Sequence, residues 1–181
     1  MKRLFFSVSI LCMLVACAAP GPRVTSNVNP AVDISAVRTF GFMEPAGTDR
    51  ANGVQTPLTL MLRGAVEREL TSMGLSRADN PQMLVNFHVA FEERMDIRQV
   101  PTTSANTGWG YRRGRYRTWG GYETRVRQYT QGTLVIDMVD PSQNMLAWEG
   151  VAQQRLGRNM NQITQEQIDS VVAAILAEFK P

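Results

Sequence analysis

The residues best suited to molecular recognition lie close together at positions 108–127, in the stretch GWGYRRGRYRTWGGYETRVR. This stretch holds six arginines, five aromatic residues and five glycines, and Glu123 is its only acidic residue. A guanidinium group donates paired hydrogen bonds to phosphate or carboxylate, and Trp and Tyr rings provide flat surfaces for stacking. We therefore identify as candidate binding residues Trp109, Tyr111, Arg112, Arg113, Arg115, Tyr116, Arg117 and Trp119.

The second chemically distinctive position is Cys17, the last residue of the sequence LVAC. Two basic residues precede an apolar run at 4–16, which as a helix would rise only about 20 Å and cannot cross the roughly 30 Å hydrocarbon core of a bilayer. This order is typical of a secretory signal. The LVAC sequence resembles the bacterial lipobox, in which the cysteine sulfur is joined to a diacylglycerol. We predict a signal peptide at 1–16 and a covalent lipid on Cys17, with no other cofactor; the alternative is a buried cysteine after an ordinary signal peptide.

A lipid on Cys17 would decide where the protein resides. Ala18 follows it, and by resemblance to enterobacterial lipoprotein sorting, a residue other than aspartate here favours the outer membrane, with the protein facing the periplasm. Residues 17–32 then form the lipidated end and a tether that spans at most about 50 Å. The formal charge of +3 includes the two basic residues of the signal, so the mature chain is nearly neutral.

Catalytic chemistry has fewer candidates. His88 is the only histidine, so any Ser-His or Cys-His mechanism depends on it, and no Gly-x-Ser-x-Gly sequence accompanies it. Asp137 lies between apolar neighbours, and we predict that it pairs with Arg127 or Arg155 on the polar face of a sheet. One histidine and two cysteines are too few for a Cys/His metal cluster. We expect no catalytic residues and no metal ligands.

The spacing of apolar residues predicts the elements that position these groups. The composition, 44% hydrophobic and 19% charged, is that of a globular domain, which we place at 33–181. Strands are predicted at 36–43, 83–91, 124–139 and 145–156, with a turn at 140–144 and with Leu146 and Trp148 on one face of the last strand. The first helix is predicted to begin at Pro57, with Thr56 as its N-cap, and to end before Gly74. The second, at 164–179, is predicted to open with a Thr164–Gln167 capping box and to carry an apolar stripe that runs to Phe179. The order β-α-β-β-β-α predicts the α+β class, with an antiparallel sheet of about four strands and two helices packed on one face.

Residues 95–122 form a predicted connection of roughly 28 residues, far longer than the usual hairpin loop of about 2–5 residues. Three interpretations of its arginine-rich half compete. It is a solvated hairpin tip; or it binds an anionic envelope component such as a lipid headgroup, lipopolysaccharide or peptidoglycan; or it binds single-stranded nucleic acid by charge and stacking. The export signal argues against nucleic acid as a partner.

Several stretches of the chain are similar to one family. They are VDISAVRTFGFMEP at 32–45, DNPQMLVNFHVAFEERMD at 79–96, QYTQGTLVIDMVDPSQNMLAWEGVA at 128–152, and the end at 168–181. Together they resemble the bacterial lipoprotein family known as domain of unknown function (DUF) 4136. The resemblance implies an α+β lipoprotein domain in the cell envelope. It implies no catalytic residues, because the family has no established activity.

These observations lead to one expectation and two alternatives. We expect a non-enzymatic, lipid-anchored envelope protein that acts by binding or scaffolding. The first alternative is an enzyme that hydrolyses an envelope polymer with His88 and strand carboxylates. The second is a structural role alongside other envelope proteins in an outer-membrane assembly.

Overall fold

Six strands and two helices make up the part of the chain that the computed structural model describes, residues 21–102, 121–156 and 163–181. They are β1 (Arg23–Val28), β2 (Thr39–Phe42), α1 (Pro57–Ser72), β3 (Ser76–Arg77), β4 (Met83–Thr102), β5 (Gly121–Asp140), β6 (Met145–Leu156) and α2 (Gln165–Leu176). The strand order across the sheet is β1-β6-β5-β4-β2-β3. The predicted α+β class is confirmed, but the prediction of about four strands in an antiparallel sheet is wrong.

The sheet is mixed because of the path that the chain takes around α1. β2 pairs in parallel with both β3 and β4, whereas β4, β5, β6 and β1 pair antiparallel in turn. Parallel neighbours require a crossover connection, and α1 supplies it between β2 and β4. The order of the elements along the sequence did not predict that β2, which precedes α1, would pair in parallel with β4, which follows it.

β1 lies within residues that the sequence analysis assigned to the tether. Its register runs from Arg23 opposite Gln153 to Val28 opposite Trp148. The sequence RVTSNV follows a Pro- and Gly-containing stretch and is mostly polar, so its own residues give little indication of a strand. An edge strand is held by backbone hydrogen bonds to its neighbour, and β6 provides them. Residues 23–28 of the predicted tether therefore belong to the sheet.

The ends of both helices follow the predicted capping chemistry. The Thr56 side chain accepts a hydrogen bond from the Thr59 N–H, and Pro57 occupies the first helical position. Thr164 and Gln167 form a reciprocal capping box at the start of α2. α2 ends at Leu176 rather than at 179. Neither helix is long and apolar enough to cross a bilayer, as judged over the described residues.

The core lies between one face of the sheet and the two helices. Val85, Phe87 and Ile136 are fully buried there, and the ring of Trp148 packs edge-on against Phe179 with their centroids 5.2 Å apart. A β-bulge at Met138/Val139 changes the register with β6. One extra residue reverses the side to which a strand residue points. Leu146, predicted to share a face with Trp148, is therefore on the opposite face and 43% exposed.

Candidate functional site

The longest feature of the described part of the chain is a two-stranded ribbon that continues beyond the other described strands. β4 and β5 each have 20 residues and pair without interruption from Leu84 opposite Val139 to Thr102 opposite Gly121. Among the described residues, the pairing of β6 with β5 extends as far as Thr130 opposite Leu156. We call residues 94–102 and 121–129 the hairpin arm. At about 3.4 Å per residue, the arm is about 30 Å long.

The arm corrects the predicted loop at 95–122. Residues 95–102 and 121–122 belong to β4 and β5. The predicted strand before this loop ends at 91 because the clean alternation of apolar and polar residues stops there. Backbone pairing between the two strands continues without it. The remaining segment, 103–120, contains all eight candidate binding residues and lies outside the described residues, as does Cys17; its two ends join the far end of the arm.

The two faces of the arm differ in character. On the side that continues the helix-covered face, four apolar side chains are 58–73% exposed: Met95, Ile97, Tyr122 and Val126. The other face carries alternating charges, with Arg94 bound to Glu92 at 2.9 Å and Arg98 bound to Asp96 at 3.1 Å. Exposed ion pairs of this kind contribute little to stability. Each pair does offset one positive charge, whereas segment 103–120 contains four arginines and no acidic residue.

A row of polar side chains crosses the face of the sheet that the helices do not cover. Asn27, Glu149, Asp137 and Asn86 lie opposite one another on β1, β6, β5 and β4. Asn27 Nδ2 donates to Glu149 Oε1 over 3.1 Å. His88 lies beside this polar row, with its Nε2 at 3.1 Å from Asn86 Nδ2 and at 3.3 Å from Asp137 Oδ2. The structure thus joins His88 to a carboxylate.

The hydrogen bonds around His88 show which of these atoms donate and which accept. The Gly47 N–H donates to Asn86 Oδ1 over 2.8 Å, which leaves Asn86 Nδ2 to donate to His88 Nε2. A nitrogen that accepts this bond has no proton to give to Asp137. The close approach of Nε2 and Asp137 Oδ2, at 3.3 Å, therefore favours a proton on the Asp137 carboxyl group. Burial raises the pKa of Asp137, His88 opposes this rise, and the negative charge of Glu149 adds to it.

The predicted pairing of Asp137 with Arg127 or Arg155 is wrong. Arg127 lies opposite Asp96, and the Arg155 guanidinium stacks on the Tyr129 ring at 4.0 Å. The sequence correctly marked His88 and Asp137 as polar residues within apolar strands. It did not reveal that they touch, because the contact depends on the register between β4 and β5. In the described ranges, no group of three His, Cys, Asp or Glu side chains could hold a metal ion.

Replacing Asp137 with asparagine is expected to stabilise the protein at neutral pH. Because folding raises the pKa of Asp137, the protonated carboxyl group adds to the free energy of unfolding below the unfolded-state pKa of about 3.9. This contribution is lost as the pH rises through the folded-state pKa. Asparagine keeps the shape without the buried charge. We expect a gain of about 1 kcal/mol in the free energy of unfolding at about pH 8, narrowing as the pH falls toward about 4.

Urea unfolding of both proteins across this pH range measures the difference. Asp79→Asn, which removes an exposed carboxylate, is the matched control and should change little at either pH. A loss of stability in Asp137→Asn that is equal at both ends of the range would contradict the expectation.

Comparison with known sequences identifies the family. Residues 24–181 match the family described as "Domain of unknown function (DUF4136)". The chain belongs to the DUF4136 family. The match confirms the resemblance drawn from the sequence, and it includes nearly all of β1, which the sequence analysis placed in the tether. No curated protein matches this DUF4136 chain.

Solved structures resemble the DUF4136 fold at low sequence identity. A PDZ domain protein from Parabacteroides distasonis ATCC 8503 aligns with a TM-score of 0.54 and 15% identity, over 89% of this chain and 37% of that one. Two PelC dodecamers from Paraburkholderia phytofirmans align with TM-scores of 0.45 and 0.44 and with 10% and 11% identity. Those alignments cover 86% of this chain and 95% and 96% of theirs. The first likeness concerns the fold alone, since one fold hosts many functions.

Proposed function

We propose that this DUF4136 protein is a lipid-anchored component of the bacterial cell envelope that acts by binding, not by catalysis. A lipid on Cys17 holds it at the outer membrane on the periplasmic side. The arginine and aromatic residues at 109–119 contact an anionic envelope component, of the class of phosphorylated lipid headgroups, lipopolysaccharide or peptidoglycan.

The hairpin arm is the observation that carries this proposal. A ribbon about 30 Å long, with exposed side chains on both faces, adds nothing to the core between the helices and the sheet. It ends at Thr102 and Gly121, which flank the segment richest in arginine and aromatic residues. Guanidinium groups and aromatic rings on an extended support are suited to contact a large anionic surface.

The position of β1 supports the same proposal. Because the first strand begins at Arg23, only residues 18–22 separate it from Cys17, and this distance is at most about 20 Å. An anchored domain is thereby held close to its membrane. The arm is longer than this tether, so the tip can contact either the membrane surface or a layer beyond it.

A photo-reactive aromatic amino acid in place of Tyr111 tests the proposal in cells. We expect cross-links from this position to an anionic lipid or polymer of the envelope. The matched control places the same residue at Leu60, a 57% exposed position on α1, where we expect no such product. Cross-links of equal yield and identity from both positions would contradict a binding role for the tip.

The contact of His88 with Asp137 favours a second candidate function, the hydrolysis of an envelope polymer. In that case, His88→Ala would lower turnover of isolated peptidoglycan or lipopolysaccharide by about 100-fold or more, as expected for the loss of a general base. Our proposal instead expects no turnover by the wild-type protein and unchanged cross-linking from position 111 in His88→Ala. A measurable turnover that disappears in His88→Ala would establish the enzyme.

A further inference from the structure

A pocket of about 490 Å³ opens between the helices and the sheet at the base of the hairpin arm. Leu62 of α1, Val171 of α2, and Val89 and Leu134 of the sheet form its apolar wall. Its volume lies within the range of about 300–1,000 Å³ that is usual for small-molecule sites. The pocket is separate from the polar row, which lies on the opposite face of the sheet.

The face of β4 that lines the pocket extends into the arm, with a polar pair between the apolar residues of the two regions. Phe91 lines the pocket and is 51% exposed. Along the same face of β4 the next residue is the exposed Glu93, which accepts a hydrogen bond from Gln128 Nε2 over 2.9 Å. Met95 and Ile97 follow it and are 66% and 64% exposed. Exposed apolar surface that extends from a pocket is typical of a site for an apolar ligand or a membrane. A cavity with an apolar wall, near further exposed apolar side chains of the arm, suits a long and flexible apolar chain.

The start of the described chain lies at the same pocket. Gly21 and Pro22 are among its lining residues. Only three residues separate Gly21 from Cys17, a distance of at most about 14 Å. An anchor at Cys17 would therefore keep the pocket next to a bilayer, where acyl chains are the most abundant apolar ligand.

We propose that this pocket binds one acyl chain of a phospholipid taken from the membrane to which the protein is anchored. The acyl-chain site rests on the proposed function, because the lipid on Cys17 is what places the pocket at the membrane from which the phospholipid comes. It adds a second contact with the membrane, distinct in place and chemistry from the arginine-rich tip. The apolar wall binds the chain, and the exposed apolar side chains of the arm contact the part that leaves the pocket.

The first experiment uses the mature chain with Cys17→Ala, so that no covalent lipid is present, and titrates it with fluorescently labelled palmitate. We expect saturable binding with one site per chain. Val89→Trp, which places a large ring in the pocket, should weaken binding at least tenfold. Val135→Trp is the matched control, because Val135 is half-buried on the opposite face of the same sheet, and it should bind palmitate as the unsubstituted chain does.

Ser170→Trp provides a second way to block the pocket if Val89→Trp fails to fold. Ser170 is an exposed lining residue on α2, so a larger side chain there leaves the core intact. Absence of saturable binding by the Cys17→Ala chain, or equal binding by the pocket variants and the Val135→Trp control, would overturn the proposal.

The second experiment tests the source of the chain. The lipidated protein is placed in vesicles whose phospholipid carries a photo-reactive acyl chain, and we expect cross-links to pocket residues that Val89→Trp removes. If palmitate binds the Cys17→Ala chain but the lipidated protein gives no such cross-links, the membrane source is wrong. Because palmitate binding in solution does not depend on anchoring, failure of the anchor and failure of the pocket give different results.

Discussion

Replacing Cys17 with alanine, behind an ordinary cleavable secretory signal, is expected to move the protein completely from the membrane fraction to the soluble fraction. A diacylglycerol on the cysteine sulfur buries two acyl chains, and each CH₂ group contributes about 0.8 kcal/mol to membrane binding. Two chains make a stable anchor, whereas one gives only marginal binding. The residual attraction between the tip and an anionic surface is far weaker and is lost in high salt. The effect should therefore be close to all-or-none.

Fractionation of cells in high salt, together with metabolic labelling with palmitate, measures this effect. Cys12→Ala is the matched control, because Cys12 lies in the predicted signal and is removed with it; both labelling and membrane location should be unchanged. A wild-type protein that takes up no palmitate would contradict lipidation. So would a Cys17→Ala protein that stays with the membranes after its signal has been removed.

Removal of the positive charge from the tip is expected to weaken binding to anionic vesicles by up to about 1,000-fold. Each basic residue next to an anionic surface contributes about 1 kcal/mol, so four contribute about 4 kcal/mol. The unlipidated chain is used, so that the anchor does not mask the effect. The variant replaces with glutamine the residues Arg112, Arg113, Arg115 and Arg117.

A control variant with the same change in net charge distinguishes the tip from the general charge of the protein. It replaces with glutamine four exposed arginines of the body, Arg23, Arg50, Arg68 and Arg77. We expect this control to retain most of the binding at low salt, and added salt to weaken wild-type binding far more than that of the tip variant. Co-sedimentation with vesicles measures both. Equal losses in the two variants, or unchanged binding by the tip variant at low salt, would contradict the proposed contact.

The two membrane contacts that we propose have different physical origins and can be separated. The tip acts through charge, so its contribution depends on salt and on anionic lipid. The pocket acts through apolar burial, so palmitate binding should depend little on either. Val89→Trp and the arginine variant should therefore alter different measurements.

Local sequence determined the helices of this protein. Thr56 with Pro57, and Thr164 with Gln167, mark the helix starts because a cap acts within one turn of chain. The apolar stripe of α2 predicts the buried face that the structure contains, and even Phe179, beyond the end of the helix, is buried as the stripe predicts. The same holds for the turn at 140–144, where Asp140 accepts hydrogen bonds from Ser142 and Gln143.

The tertiary structure alone decided which strands are neighbours and where they end. β1, the parallel place of β2 and the length of the hairpin arm depend on backbone hydrogen bonds between residues far apart in sequence, and side-chain patterns do not encode them. The contact of His88 with Asp137 follows from strand register, and the outward position of Leu146 follows from a single bulge. Interactions within one turn can be read from neighbouring residues, whereas strand pairing is a property of the folded chain as a whole.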